Sequence, residues 1–174
     1  MVGRRTATVL AGALIAAAGC SSGGGSGETP EGFVRGTAAV LSVAYPKGWQ
    51  SGPDASLPLS VQAPGRAAFL SVIKDVAERA DPDMIEATMG LGPMMQAAGY
   101  RRTASKAIEV AGATAARRVD YTFTDFRGTG APGQGIDVGV IGGNGHLHVV
   151  RVTWRRGRLK DATADGIVDS IKVG

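Results

Sequence analysis

Two histidines, His146 and His148, stand two residues apart in a chain of 174 residues. On a strand that spacing points both rings to the same face, and two such rings can begin a metal site. A site also needs a third ligand and outer partners to orient the rings. The chain holds no other histidine, and its only cysteine is Cys20. The pair therefore reads as strand histidines that pack or face solvent near a hairpin turn, and no metal is expected. Gly128-Thr-Gly130-Ala-Pro-Gly133 fits the G-x-G-x-x-G spacing. The phosphate-binding form needs a strand before it and a helix N-terminus after it. Here a strand follows and Pro132 interrupts the loop, so no nucleotide site is expected. The nucleophile pattern G-x-S-x-G and the zinc pattern H-E-x-x-H are absent. The carboxylates are scattered, with Asp81 and Asp83 at a helix start, where the dipole favours them. No catalytic residue, no cofactor and no enzyme activity are expected. Arg151, Arg155, Arg156 and Arg158 gather near a strand end, with Arg117 and Arg118 on a neighbouring strand. Such a patch suits anionic headgroups or an acidic partner. Its plainer reading is a solvated sheet face, with Asp120 among the counter-charges.

Cys20 is the remaining reactive group. It ends the apolar run Leu10-Ala-Gly-Ala-Leu-Ile-Ala-Ala-Ala-Gly-Cys20, which follows Arg4 and Arg5. A positive start, a short apolar stretch and a small-residue cleavage site make a secretory signal peptide, expected over residues 1–19. The run is shorter than the ~20 apolar residues that span a bilayer. Ala18-Gly19-Cys20 resembles the lipobox of bacterial lipoproteins, in which the cysteine thiol receives a diacylglycerol and the leader is cut just before it. Ala17 stands where that pattern usually has Leu. The resemblance implies lipidation at Cys20, with further acylation such as palmitate. Two or more chains give stable anchoring, at about 0.8 kcal/mol per buried methylene. Gly3, Thr6, Ala7 and Thr8 around the arginine pair do not fit a twin-arginine signal, so general secretion is the expected route. Residues 20–32 read as the lipidated cysteine and a flexible Gly/Ser tether.

Residues 33–174 have the size of a single domain. With 44% hydrophobic residues in the chain, that length can bury a core. A single cysteine allows no internal disulfide, so stability rests on packing. The net charge of +4 falls to +2 once Arg4 and Arg5 leave with the leader. That excess, in an exported protein, does not point to nucleic acid. Strands are expected at 40–45, 59–61 and 68–73. Asp81-Pro82 then starts a helix, with Met84, Thr88, Leu91, Met95 and Ala98 on one face, Gly99 as the cap and a kink or break at Pro93. Strands at 103–110 and 114–126 follow. In the second, Ala115, Arg117, Val119, Tyr121 and Phe123 share one face. Arg118, Asp120, Thr122 and Thr124 share a wetter one. Residues 136–141 and 147–155 form a hairpin across Gly142-Gly-Asn-Gly145. Ala164, Ile167, Val168 and Ile171 mark a last helix starting near Lys160. Runs of strands with isolated helices predict an α+β fold, a central antiparallel sheet with helices packed on its faces.

Tyr45-Pro-Lys-Gly-Trp49 closing an early strand, the mid-chain helix, the meander of long strands and the closing Ala164-Asp-Gly-Ile-Val-Asp-Ser-Ile-Lys-Val173 together resemble the PsbP-like domain. That domain is an α/β/α sandwich shared with the Ran-binding Mog proteins. Within that group the chain most resembles the actinobacterial LpqN/LpqT-type lipoproteins. The resemblance implies the sandwich fold and accessory or binding roles, and it carries over no catalytic residue. Three readings follow. The first is a lipid-anchored protein on the extracytoplasmic face of the cell membrane, a non-catalytic accessory that binds an envelope protein or lipid partner. The second is a carrier or sensor of a small apolar ligand or lipid, held in a pocket lined by Met84, Met89 and Met95. The third is an enzyme using His146 and His148 with a carboxylate.

Overall fold

The computed structural model describes residues 24–25 and 27–174. The expected leader and Cys20 lie outside the described residues. In chain order the elements are β1 (Gly24–Gly25), β2 (Phe33–Ala38), β3 (Leu41–Pro46), β4 (Gln50–Ser51), β5 (Leu59–Gln62), β6 (Ala68–Ala77), α1 (Ile85–Gln96), β7 (Arg101–Ala107), β8 (Glu109–Val110), β9 (Ala115–Phe123), β10 (Gly133–Ile141), β11 (Leu147–Arg155), α2 (Asp161–Asp169) and β12 (Lys172–Val173). The main sheet has the order β4-β5-β6-β11-β10-β9-β7 and every pairing in it is antiparallel. A smaller antiparallel sheet runs β12-β3-β2, and β1 pairs in parallel with β8.

The main sheet buries both faces because its central strands are apolar at successive positions rather than at alternate ones. On one face Leu70 and Val72 of β6, Val150 and Val152 of β11 and Val138 and Val140 of β10 meet Leu41 and Val43 of the small sheet. Ala164, Ile167 and Val168 of α2, followed by Ile171, close that layer. On the other face Phe69, Val149, Leu147, Val119, Tyr121 and Phe123 pack with Ile85 and Met89 of α1. The expected antiparallel sheet is thus present. One difference is that a second sheet shares one face with α2, where helices alone were expected.

The β10–β11 hairpin runs in register from Gly133↔Arg155 to Ile141↔Leu147, with the turn where the sequence places it. Gly145 takes the positive φ of that turn, 79°. The C-terminal helix also matches, from Lys160 as its flanking residue to the buried Ala164, Ile167 and Val168. Ser170 fixes its end by accepting the Ala44 amide at 2.8 Å and donating to the Ile167 carbonyl at 2.7 Å.

Other elements differ from expectation. β2 was not foreseen, because Gly36 and Arg35 dilute its apolar pattern. Arg35 reaches back to the Gly27 carbonyl at 2.7 Å and the Thr29 hydroxyl at 2.9 Å, and across to the Ser170 carbonyl at 3.0 Å. The Gly27 amide donates to the Asp169 carbonyl. The later part of the expected flexible tether is therefore bound to the domain. Asp81 does cap a helical start, accepting the Asp83 amide at 2.9 Å, but Pro82–Met84 is a 3-10 turn and the α-helix begins at Ile85. Pro93 does not break α1, which runs through it to Gln96. Only the bond to the carbonyl four residues back is lost there, and the buried ring joins Ile85 and Met89 on one helix face. The buried face is therefore 85–89–93, one position away from the face expected. Met84 and Met94 are exposed. The side chains of Leu91 and Met95 lie outside the described residues.

Candidate functional site

The face of β10 that looks at α1 reads Gly133, Gly135, Asp137, Gly139, Ile141. The three glycines are a packing device. A Cβ on Gly135 would stand 2.6 Å from the Tyr121 ring, one on Gly133 would strike Phe123, and one on Gly139 would strike Ile85 and Met89. Their absence lets the β9 aromatics lie flat across β10 and lets α1 sit down on the sheet.

Into this apolar layer the sequence sets one charge. Asp137 is 2% exposed. Such a carboxylate needs full pairing, and the register supplies it, because Asp137 lies directly opposite Arg151 of β11. Arg151 donates through Nε to both carboxylate oxygens, at 3.0 and 3.1 Å, and through Nη2 at 2.7 Å. The Tyr121 hydroxyl donates to the same carboxylate at 3.0 Å. Tyr100 lies over Tyr121 with ring centroids 5.1 Å apart. Burial, reinforced by the Asp137 charge, pushes the Tyr121 phenol well above its ordinary pKa, so it stays a donor. Burial works against the charge on Arg151, but the hydrogen bonds and charge of Asp137 outweigh it and raise its pKa.

Open space lies beside α1 in two places, and only the second reaches Arg151. Towards β7 lies a cleft of about 630 Å³, lined by Glu86, Met94, Tyr100, Arg102 and Val119. Glu86 of α1 there holds Arg102 and accepts from Ser105, with Arg117 at 3.7 Å. Past the C-terminal end of α1 lies a second cleft, of about 310 Å³, between Pro93 and Ala97 on one side and Tyr121, Phe126, Arg127 and Arg151 on the other.

The residues singled out in the sequence are dispersed. The arginine cluster divides three ways. Arg151 pairs with Asp137, Arg117 faces Glu86, and Arg118 bridges Asp120 and Asp165, each at 2.7 Å, beneath α2. Arg155, Arg156 and Arg158 make no ion pair among the described residues. Asp120 is a counter-charge, as the plainer reading expected. Of the Gly128–Gly133 stretch, 128–132 lie in the β9–β10 loop, with Gly128 and Gly130 at φ of 76° and 68°, and Gly133 opens the strand that follows.

His146 and His148 do lie near each other, with ring centroids 6.4 Å apart, and a carboxylate joins them. Asp75 sits at a bulge of β6 with φ of 50°. Its Oδ1 is 2.8 Å from His146 Nδ1, and its backbone N–H donates to His148 Nδ1 at 3.2 Å. That bond puts the His148 ring proton on Nε2, which is buried and without a partner among the described residues. Burial holds the His148 pKa below its ordinary value, and the hydrogen bond with His146 lowers that of Asp75. Nothing in the sequence marked Asp75, since only the bulge brings it to the histidines. No group of three metal-ligating side chains occurs among the described residues. Asp137 was missed as well. Its signal was an acid at an inward position of a buried strand.

Among solved structures, the chain is similar to LpqN of Mycobacterium tuberculosis, described as involved in cell envelope biogenesis. The two share 12% identity with a TM-score of 0.54, over 76% of this chain and 82% of that one. The folds are related. No family model and no curated protein matches the sequence. No helix among the described residues is long and apolar enough to cross a membrane.

Proposed function

We propose that this protein is an extracytoplasmic lipoprotein, anchored to the cell membrane through Cys20, whose PsbP-like α/β/α domain is a non-catalytic accessory that binds a partner in the cell envelope. The observation that carries this reading is the fold shared with LpqN, a protein of envelope biogenesis. The lipobox-like end of the leader supports it from the sequence. Chain length adds a geometric consequence. Gly24 pairs with Glu109, and four peptide steps back to Cys20 extend at most ~14 Å. The domain is then held against the bilayer rather than on a long leash. Feeding cells an alkyne-tagged fatty acid tests the anchor. The account expects label on the wild-type chain and none on Cys20→Ala, which would leave the membrane fraction. Label on both forms, or membrane retention of the variant, would refute it.

A second reading, a carrier of a small ligand, is favoured by the clefts beside α1. The pocket expected from Met84, Met89 and Met95 does not carry it, since Met89 is in the core and Met84 is exposed.

A further inference from the structure

The cleft past the end of α1 differs from the others in combining an aromatic wall with a cationic mouth. Tyr121, Phe123 and Phe126 form a continuous row, with centroids 6.1 and 6.2 Å apart, and Phe69 joins Phe126 at 5.9 Å. Pro93 and Ala97 face that row. Arg127 stands at the mouth, its guanidinium 4.1 Å from the centroid of the Phe69 ring. Its backbone has φ of 55°, a conformation a non-glycine residue adopts at a cost.

The charge count decides what this mouth attracts. Asp137 neutralises Arg151 behind the wall. Asp125, the carboxylate in the lining, turns its Oδ1 to the Gly130 amide at 2.8 Å. Arg127 has no ion pair among the described residues. The same end of the sheet carries Arg155, beside Gly133, and Arg66, next to Ala67, whose carbonyl accepts the Arg155 amide. Neither has an ion pair among the described residues. The Asp125 carboxylate keeps its charge in its hydrogen bond to the Gly130 amide, and against it Arg66, Arg127 and Arg155 leave this end of the sheet with a positive excess. A guanidinium resting on an aromatic face keeps its edge donors free for an oxyanion. At about 310 Å³ the cleft lies at the small end of ligand sites, room for one compact molecule rather than a two-chain lipid.

We propose that this cleft binds a small amphiphilic anion, a carboxylate or sulfonate on a flat or short-chain apolar body, with the body against Tyr121, Phe123 and Phe126 and the anion on Arg127. The proposal rests on the carrier reading and gives that reading its ligand class. It is tested by titrating the full chain with 1-anilinonaphthalene-8-sulfonate, then displacing the dye with decanoate or with decanol. Decanoate is expected to displace the dye at least tenfold more effectively than decanol. Arg127→Ala is expected to erase that preference and Arg127→Lys to retain most of it. Ala98→Trp, placed at the exposed lip of the cleft, is expected to abolish displaceable binding, with unchanged circular dichroism showing that the fold persists. Equal displacement by decanoate and decanol, insensitive to Arg127→Ala, would overturn the anion specificity while leaving a carrier. Binding of dye that Ala98→Trp does not touch would overturn this cleft as the site while leaving a carrier that uses other space, and no displaceable binding at all would overturn the carrier reading as well.

Discussion

Asp137 and Arg151 show what a single buried charge demands. Removing one partner leaves the other uncompensated, at a cost of roughly 3–5 kcal/mol in buried pairs, whereas replacing both with apolar groups is far milder. Arg151→Met should therefore lower stability by about 3 kcal/mol in urea unfolding, Arg151 being partly exposed, and Asp137→Leu combined with Arg151→Met should recover much of that loss. A double variant as unstable as the single one would show that the pair itself, and not the stranded carboxylate, carries the energy. His148 makes a pH prediction. Its pKa in the folded chain lies below the unfolded value of about 6.5, so the fold prefers the neutral ring. Stability is then full above pH 6.5 and declines as pH falls below it. Asp75, held below its ordinary pKa, adds a further loss at lower pH as it protonates. His148→Phe should remove the first decline and keep the second, which sets in below about pH 4, read from thermal melting between pH 7.5 and about 2.5.

At the scale of elements, α1 is the weakest piece by local propensity. Gly90, Gly92 and Pro93 lie within it, and interior glycine costs about 1 kcal/mol and proline about 3 relative to alanine. Its place is held by Ile85, Met89 and Pro93 on the sheet. Gly90 has open space around it, the nearest atom to an added Cβ being Met94 Sδ at 3.9 Å. Gly90→Ala should stabilise the protein by about 0.5–1 kcal/mol. Gly139→Ala, aimed at Ile85 and Met89, should destabilise it and speed hydrogen exchange in α1 first. The sequence told strand from helix where the period was strong. The alternation of Ala115 to Phe123, the hairpin at Gly142–Gly145 and the helix carrying Ala164, Ile167 and Val168 were all legible. It failed where context overrode pattern. Pro93 suggested a break, yet one missing hydrogen bond near a helix end is outweighed by burial of the ring. Arg35 carried no signal of its role in the sequence, yet it binds the segment from Gly27 to Thr29. Of the site residues, Arg151 was visible as a charge, but its partner became visible only through the pairing of β10 with β11.

At the scale of the molecule, the antiparallel sheet places two unlike ends about 26 Å apart, the length of nine-residue strands. The segment leading to Cys20 joins the domain near β8, close to the end that carries the β10–β11 turn. Arg66, Arg127, Arg155 and the small cleft occupy the other end. An anchored domain would therefore keep its turn end near the membrane and offer the arginine end, with its cleft, to the surrounding envelope. Arg35→Ala should loosen the first joint, seen as faster amide exchange at Gly27, and leave the core strands protected. The measurement that tests the whole account most directly is crosslinking in intact cells followed by mass spectrometry of the captured proteins, comparing wild type with Cys20→Ala. The account predicts an envelope protein joined to the anchored form and absent from the unanchored one. The same proteins captured equally by both forms would contradict it.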